Sequence, residues 1–424
     1  MFDRFSIRVL GLALLSALPD TAWADTFRVV PGESLMAALA GARPGDTVVL
    51  GPGRHAGPVV VTIPGLTLQG EVGAIIDGGG GGNSVRVSAP DVTLRRLAVR
   101  GSGQILIDKD SGIFLDHGAD RARVEDCDLA DNLIGIYLDG PKDALVRHNR
   151  ISGLLLPHRS ERGPAISMWN TPGSRIEDND IRAGRDGVFA VSSRRNAIVR
   201  NRFHEVRFAV HLMYTNESEV VDNISAGNDV GYVLMYSDRL AIHGNASAHD
   251  RDHGFVLNYA NDSRVEDNAV RDSEKCVFIY NANKNLFRNN WFEGCQVGVH
   301  FTAGSERNSI TGNAFVANRT QVMYVGTRAL DWSADGRGNY WSDNAAFDLN
   351  ADGVADTAYR PNDLVDQVVW RAPAAKLLLN SPAVQVLHWA QAAFPAIHPG
   401  GVIDSAPLMH PPRPDAISRL EAVP

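Results

Sequence analysis

The sequence predicts an all-β fold, a right-handed parallel β-helix in which each coil takes about 22–23 residues. Three observations support this prediction. Tetrapeptides that end in Asn recur at nearly constant steps, an apolar residue stands three positions before each Asn, and each repeat begins with a small residue followed by an apolar one. A period of this length is typical of a solenoid, and short β-branched runs between Gly, Asn and Asp indicate strands.

The Asn column sets the period. Its steps are 30, 22, 22, 22, 23, 22 and 23 residues, and the long first step contains an insertion around residues 154–163. Cys127 occupies the equivalent position one step earlier. Because stacked Asn side chains can pass amide hydrogen bonds from strand to strand, we expect a ladder along the solenoid. Its predicted members are Asn149, Asn179, Asn201, Asn223, Asn245, Asn268, Asn290 and Asn313.

Both ends of the repeat region differ from its middle. Apolar residues at helical spacing in residues 33–42 predict a helix that caps the first coil. After the repeat ends, a Gly/Asp-rich segment precedes an apolar segment with a helical pattern. The chain therefore divides into a β-helix over 25–330, an Asp/Gly-rich capping loop region over 331–372, and a helical or extended docking tail over 373–424.

The first residues indicate export. Arg4 and Arg8 precede a short apolar run, and Pro19 and several small residues follow it up to Ala24. This order is typical of a secretory signal peptide, which we assign to residues 1–24. The apolar run is shorter than the roughly 18 residues that a membrane-spanning helix needs.

Charge and cysteine content argue against two classes of protein. Asp and Glu outnumber Lys and Arg by 49 to 41, which gives a net charge of −8 and makes nucleic-acid binding a poor interpretation. Three cysteines do not form the even-numbered framework of a disulfide-rich domain. Cys276 and Cys295 are separated by less than one period, so we expect no disulfide between them and a buried Cys127.

A candidate copper site follows from two similar strings, VHLMY and YVLMY, which stand one repeat apart. They place Met213 and Met235 at equivalent positions of adjacent coils, and strand alternation directs both side chains outward together with His211. Two thioethers and one imidazole within reach of one point suit Cu(I) better than zinc or calcium. The sequence therefore predicts a Cu(I) site, occupied transiently, at these three residues.

An aromatic docking surface is the alternative interpretation of the same stripe. Tyr214, Tyr236 and Tyr259 occupy equivalent positions beside it, with Tyr280 nearby, and Trp389 lies in the apolar tail. Exposed aromatic side chains are common where a protein docks a partner or stacks a sugar. We prefer partner docking for these residues.

The capping loop region contains half of a calcium-binding motif. Asp348, Asn350, Asp352 and Asp356 supply oxygen ligands before and after a turn glycine, as in the first half of a calcium loop. The acidic residue expected at the twelfth position is replaced by Tyr359. Bound calcium is therefore a prediction that competes with a turn cluster closing the last coil.

A carbohydrate enzyme is the competing function, because parallel β-helices often act on polysaccharides. Asp116 and Asp139 share one position on adjacent coils, but Trp169 and Val191 follow them in that column. Hydrolysis by paired carboxylates needs two acids at a defined separation across a groove. One pair without further convergent groups favours a protein that is not an enzyme.

The repeat columns and the exported start, together with two motifs near the C-terminus, resemble the NosD family of periplasmic maturation proteins of nitrous oxide reductase. The motifs are GNYWSD at 338–343 followed by DLNADGVADTAY, and HPGGVIDSAPLMHP in the tail. The resemblance covers essentially the whole mature chain. It implies a periplasmic, non-catalytic protein that helps to supply copper to the reductase.

The resemblance also implies partners. These are the ATPase and permease subunits of an ABC transporter, a copper lipoprotein chaperone and the apo-reductase, with membrane contact only through these partners. The chain itself contains no G-x-x-x-x-G-K-[ST] phosphate-binding loop, so a separate subunit must hydrolyse ATP. Three hypotheses stay open: a copper-relay and docking scaffold, a polysaccharide lyase or epimerase, and a structural adaptor that binds no metal.

Overall fold

The computed structural model is a parallel β-solenoid that confirms the predicted fold class. It describes residues 24–423 except 327, 363–364, 367, 369–372, 379–380 and 394–399. Three parallel sheets run along the solenoid, with 13, 12 and 13 strands among the described residues. Paired strands lie one repeat apart, so that Val220 stands opposite Ile242 in the first sheet.

The strands are numbered here in chain order. The first sheet consists of β1 (Thr26–Val29), β2 (Thr47–Leu50), β5 (Thr67–Gly70), β8 (Thr93–Arg95), β11 (Arg123–Glu125), β14 (Leu145–Arg147), β17 (Arg175–Glu177), β20 (Ala197–Val199), β23 (Glu219–Val221), β26 (Ala241–His243), β29 (Arg264–Glu266), β32 (Leu286–Arg288) and β35 (Ser309–Thr311). The second sheet consists of β4 (Val59–Val61), β7 (Val85–Val87), β10 (Ser111–Leu115), β13 (Ile134–Asp139), β16 (Ile166–Trp169), β19 (Asp186–Val191), β22 (Phe208–Met213), β25 (Val230–Met235), β28 (His253–Asn258), β31 (Lys275–Tyr280), β34 (Val297–Thr302) and β37 (Thr320–Val325). The third sheet consists of β3 (Gly53–Ala56), β6 (Ala74–Asp77), β9 (Ala98–Arg100), β12 (Asp128–Asn132), β15 (Arg150–Gly153), β18 (Asp180–Arg182), β21 (Arg202–His204), β24 (Ile224–Ala226), β27 (Ala246–Ala248), β30 (Ala269–Arg271), β33 (Trp291–Glu293), β36 (Ala314–Val316) and β39 (Tyr340–Trp341).

The predicted Asn ladder is present and buried. The side-chain N–H of Asn149 donates to the side-chain oxygen of Asn179 at 2.9 Å, and the same contact repeats down the column. At its end Asn313 donates to Asn339, a ninth Asn that the sequence pattern missed. Cys127 begins the column, since its backbone N–H donates to Asn149. The ladder satisfies amide groups that would otherwise be buried without partners.

Short helices lie at the ends of the solenoid and in its tail. Helix α1 (Leu35–Gly41) covers the first coil as predicted, with its N-terminus capped by the Ser34 side chain. Helices α2 (Pro382–Ala393) and α3 (Ala416–Glu421) lie in the tail. Among the described residues, 3₁₀ helices also lie at Leu106–Asp108 and Arg159–Glu161, between strands of the solenoid, and at Pro373–Leu378 in the tail. Across the described residues, no helix is both long and apolar enough to span a bilayer.

Cys276 and Cys295 form a disulfide, so the prediction that they stay unlinked was wrong. Their Cα atoms are 5.7 Å apart. Cys276 lies on β31, whereas Cys295 lies in the turn before β34, where its backbone N–H donates to the Asn318 side chain. The prediction counted residues as if the strand were straight, and the turn instead brings the two side chains together. Cys127 is free and buried, as predicted.

The tail closes the C-terminal end of the solenoid. The Asp404 carboxylate accepts hydrogen bonds from the backbone N–H of Asn339 at 2.6 Å and from the indole N–H of Trp341 at 2.8 Å. A Cβ added to Gly338 would lie 1.7 Å from Asp404, which explains the glycine. Strands β38 (Leu330–Asp331) and β40 (Val402–Ile403) pair beside this contact. The third sheet therefore continues to β39, beyond the domain boundary predicted at residue 330.

Candidate functional site

Met213 and Met235 lie opposite each other on neighbouring strands of the second sheet. Strands β22 and β25 pair in register at this position. Paired strands lie about 4.8 Å apart, so the two thioethers extend from adjacent backbone positions. Both side chains are half-buried on the outer face, while Leu212 and Leu234 point into the core. The structure thus places the two sulfur atoms on the same face, as the repeat predicts.

His211 lies on the same face, two residues before Met213, but its imidazole is only 7% exposed. The sequence alone did not predict this burial. The ring centroids of Phe189 and Phe208 are 4.8 Å and 5.2 Å from that of His211. Burial lowers the pKa of His211 to about 4, so the ring is neutral near pH 7. Among the described residues neither ring nitrogen has a hydrogen-bond partner, and both nitrogens are buried from solvent. The unprotonated nitrogen of a neutral imidazole keeps a lone pair that can bind a metal ion.

This combination of groups is suited to a soft cation. Thioether sulfur and neutral imidazole both bind Cu(I), whereas divalent calcium and magnesium prefer oxygen ligands. In the part of the chain that the structure describes, no three or more His, Cys, Asp or Glu side chains are grouped to hold a metal ion. Met409 and His410 belong to the tail motif HPGGVIDSAPLMHP, in which the backbone N–H of Met409 donates to the carbonyl of Gly353.

A row of stacked tyrosines borders the two methionines. Tyr214, Tyr236 and Tyr259 stack with ring centroids 5.1 Å apart, and they are 53%, 38% and 41% exposed. All three have positive φ, so each ring stands at the turn where its strand ends. The next position of this column is Asn281, whose side chain donates to the Tyr259 hydroxyl. Tyr280 lies one residue earlier, on the strand, and meets Tyr259 edge-on.

The second predicted docking element is the tail. Helix α2 contains Trp389, whose side chain lies outside the described residues. Val386 and Leu387 of the same helix are 61% and 37% exposed. The helix therefore presents apolar surface, in agreement with the composition of this segment.

The two acids of the competing enzyme hypothesis are already paired with cations. Asp116 bonds to Arg86 at 2.6 Å, and Asp139 bonds to Lys109 at 3.1 Å. Partial burial opposes ionisation of Asp116, but the Arg86 guanidinium holds its pKa below the usual range. A general acid needs a raised pKa, so Asp116 does not suit that role. The ammonium group of Lys109 also lies 5.4 Å from the centroid of the Trp169 ring.

The predicted calcium loop folds into a compact turn. Asp348 accepts hydrogen bonds from the backbone N–H groups of Asp352 and Gly353. The Asp352 carboxylate accepts from the Asn350 side chain, and that of Asp356 accepts from a backbone N–H. These hydrogen bonds stabilise the turn. Calcium binding by the four predicted residues stays a prediction.

Sequence reasoning missed the residues that surround His211. Phe189 and Phe208 contact its ring, and the fully buried Asp186 lies behind them between Arg185 and Arg207. The repeat column gave no signal for Asp186, because other coils also place polar or charged residues at this position, such as His253 and Lys275. Only the strand register shows that these groups converge on one histidine.

Two relatives match most of the chain. A protein named probable ABC transporter binding protein NosD from Stutzerimonas stutzeri is 39% identical over 375 residues, which cover 85% of this chain and 86% of the relative. A protein of the same name from Pseudomonas aeruginosa is 40% identical over 377 residues, covering 86% and 88%. Both are named as binding proteins and not as enzymes, in agreement with the prediction from the sequence.

Solved structures share the fold at low sequence identity. The polysaccharide lyase Pedsa3628 of Pseudopedobacter saltans, of family PL6, has a TM-score of 0.53 and 13% identity, covering 69% of this chain and 85% of the lyase. The alginate lyase AlyF-OU02 has a TM-score of 0.51 and 12% identity, covering 72% and 88%. At such identities the likeness shows the β-helix fold alone and says nothing about activity.

The match to a family model agrees with the two relatives. The model described as periplasmic copper-binding protein (NosD) matches residues 148–346, which include the candidate copper site and all nine Asn residues of the ladder. The resemblance noted in the sequence is thereby confirmed, and so is the periplasmic location. On the identity and coverage of its relatives, the chain belongs to the NosD family of periplasmic copper-binding proteins.

Proposed function

We propose that this protein is a periplasmic accessory protein that works with an ABC transporter to deliver copper during the maturation of nitrous oxide reductase. The paired Met213 and Met235 beside the buried, neutral His211 are the observation that supports it most strongly. The name of the relatives, ABC transporter binding protein, supports the transporter as a partner. Copper is the cargo, and the transporter's separate ATPase and permease subunits drive its passage.

The candidate site would hold Cu(I) weakly enough for transfer. Two neutral thioethers and one neutral imidazole bring no negative charge to the ion, unlike a site built from thiolates. The half-buried methionines leave one side of the ion open to an incoming partner. A copper lipoprotein chaperone would supply the ion there, and the apo-reductase would receive it.

The tyrosine row would dock one of these partners. Its three stacked rings form a rigid ridge beside the methionines, and rigid aromatic side chains lose little entropy on binding. Helix α2 with Trp389 is a second docking element, suited to the transporter. Because the row is adjacent to the candidate ligands, a partner seated on it would reach the ion directly.

Copper transfer tests the proposal. The copper-loaded chain is mixed with the lipoprotein, the transporter complex and apo-reductase, and filling of the reductase is followed by its absorption spectrum. Met213→Ala with Met235→Ala should abolish filling, whereas Met36→Ala, which removes an exposed methionine on α1, should not. Equal filling by the double variant would contradict the site and favour the metal-free adaptor.

Docking is tested separately. Tyr214→Ser, Tyr236→Ser and Tyr259→Ser are combined, and binding to each immobilised partner is measured. We expect weakening of at least about tenfold for one partner, because aromatic hot spots each contribute about 2 kcal/mol or more. The control is Phe347→Ala, which removes an aromatic side chain of similar exposure at the C-terminal end. Unchanged binding to every partner would exclude the row as a docking surface.

A further inference from the structure

Asp186 is a fully buried carboxylate behind the candidate copper site, and two arginines bind it. Arg207 donates to both of its oxygens, with Nε and Nη2 at 2.9 Å and 2.8 Å, and Arg185 donates through Nε at 3.3 Å. A bidentate arginine pair has a fixed geometry and therefore holds the planes of both groups. Asp186 stands opposite Phe208 in the pairing of β19 with β22, so the group spans two coils.

Each arginine covers one of the two aromatic rings that contact His211. The guanidinium carbon of Arg207 lies 4.2 Å from the centroid of Phe208, and that of Arg185 lies 5.8 Å from the centroid of Phe189. The ring of Phe208 meets His211 nearly perpendicularly, at 89°, and Phe189 meets it at 33°. A continuous set of contacts therefore joins the carboxylate to the imidazole by two routes.

The orientation of an imidazole decides whether it can bind a metal ion. Its lone pair lies in the ring plane, and the second side-chain torsion of histidine has a broad energy profile. In most metal sites a hydrogen bond to the other ring nitrogen fixes that torsion. Within the described residues His211 has no such bond, so packing against the two phenylalanines must fix it instead.

We propose that Asp186, Arg185 and Arg207 form a clamp that positions the ring of His211 for copper through Phe189 and Phe208. The inference rests on the proposed function for its purpose, but the clamp can be tested without copper. The clamp also accounts for the buried Asp186 carboxylate on the outer face of the sheet. Apolar residues in place of this buried ion pair would make the fold about as stable. Asp186 is thus a positioning residue and does not contact the ion.

Arg207→Lys is the most informative variant. Lysine keeps the positive charge beside Asp186 but lacks the planar, bidentate group that stacks on Phe208. The matched control is Arg200→Lys, because Arg200 also forms a bidentate pair, with Asp178, at an exposed corner of the solenoid. Should Arg207→Lys fail to fold, Asp186→Asn weakens the same bidentate pair and leaves both phenylalanine rings in place.

Two measurements are made on each full-length variant. The ring-proton chemical shifts of His211 in the metal-free protein report its position against Phe189 and Phe208. The Cu(I) dissociation constant is measured against a competing chelator. We expect Arg207→Lys to move the His211 ring shifts and to weaken Cu(I) binding about tenfold or more, as outer-shell changes do at metal sites, while Arg200→Lys changes neither.

The outcomes separate the clamp from the proposed function. Wild-type ring shifts in Arg207→Lys, or in Asp186→Asn should the first variant not fold, would overturn the clamp, whether or not copper binds. Displaced ring shifts with unchanged Cu(I) affinity would overturn its role in positioning the ligand. A wild-type chain that fails to bind Cu(I) would refute the proposed function, and the ring shifts would still decide whether the clamp holds the histidine.

Discussion

The Asp404 carboxylate accepts the indole N–H of Trp341 at 2.8 Å, across 63 residues of sequence. Trp341 belongs to the motif GNYWSD and Asp404 to the tail motif, so the two segments that resemble the NosD family meet at one contact. The same carboxylate binds the backbone of Asn339, the last member of the Asn ladder. The tail therefore covers an end at which an unpaired coil would otherwise be exposed.

Asp404→Ala should weaken the packing of the tail against the C-terminal end of the solenoid. The substitution leaves the Asn339 and Trp341 N–H groups buried without acceptors, and we expect a loss of about 3 kcal/mol in the free energy of unfolding. Urea unfolding measures the loss, and limited proteolysis shows whether the tail is cut sooner. Asp415→Ala is the control, since Asp415 is exposed and its side chain does not cap α3. Equal stability of both variants would contradict the role of Asp404.

Asp250 should make stability depend on pH. Burial raises its pKa from 3.8 to about 6, although Ser225, Ser247 and Asn228 donate hydrogen bonds to it. The folded state therefore holds the proton more tightly than the unfolded chain. For a pKa shift of this size, protonated Asp250 adds about 3 kcal/mol to the free energy of unfolding. This stabilisation is fully present below about pH 4 and is lost as the pH rises to about 6.

Asp250→Asn should remove this dependence, because the amide resembles the protonated acid and does not titrate. Urea unfolding of wild type and variant at pH 4, 5, 6 and 7 gives the difference directly. The exposed Asp272→Asn serves as the control. A difference between wild type and Asp250→Asn that stays constant over this range would show that the buried carboxylate does not titrate there.

Substitution of an Asn in the middle of the ladder should lower the free energy of unfolding. Asn223 accepts from the backbone and side chain of Asn201 and donates to Ile198 and Asn245, all in the buried interior. Asn223→Ala leaves these partners unsatisfied, so we expect a loss of about 3 kcal/mol. Glu219→Ala, at an exposed strand position of the same coil, should change stability by less than about 0.5 kcal/mol. Similar midpoints in urea for the two variants would argue against the ladder as a source of stability.

The disulfide can be tested by chemistry and by stability. A non-reducing digest should yield one peptide pair linking Cys276 to Cys295, and the unfolded chain should show a single thiol, that of Cys127. Replacing both linked cysteines by Ala should cost about 3 kcal/mol, the entropy expected for a loop of this length. Three reactive thiols in the unfolded, unreduced protein would show that the bond is absent.

Much of this fold is predictable because a solenoid turns sequence columns into lines in space. The period predicted the Asn ladder, the inward Leu212 and Leu234, and the pairing of Met213 with Met235. Each of these needs only the number of residues per coil and the alternation of a strand. The strand register then follows from the repeat itself.

Features that depend on turns and on distant segments were not predictable in this way. The turn before β34 brings Cys295 to Cys276 although their spacing is shorter than one repeat. The burial of His211 depends on aromatic side chains from two coils, and the closure by Asp404 depends on a tail outside the repeat. The repeat pattern of a sequence predicts neither the geometry of turns nor the contacts of a segment outside the repeat.

Competition titration of the purified mature chain with Cu(I) tests the central claim most directly. We predict binding of one Cu(I), loss of at least about tenfold in affinity for Met213→Ala with Met235→Ala, and no change for Met36→Ala, because Met36 lies on α1 and does not contact the ion. Since the pKa of His211 is about 4, the affinity should stay constant from pH 6 to 8. Wild-type affinity in the double methionine variant would contradict the account.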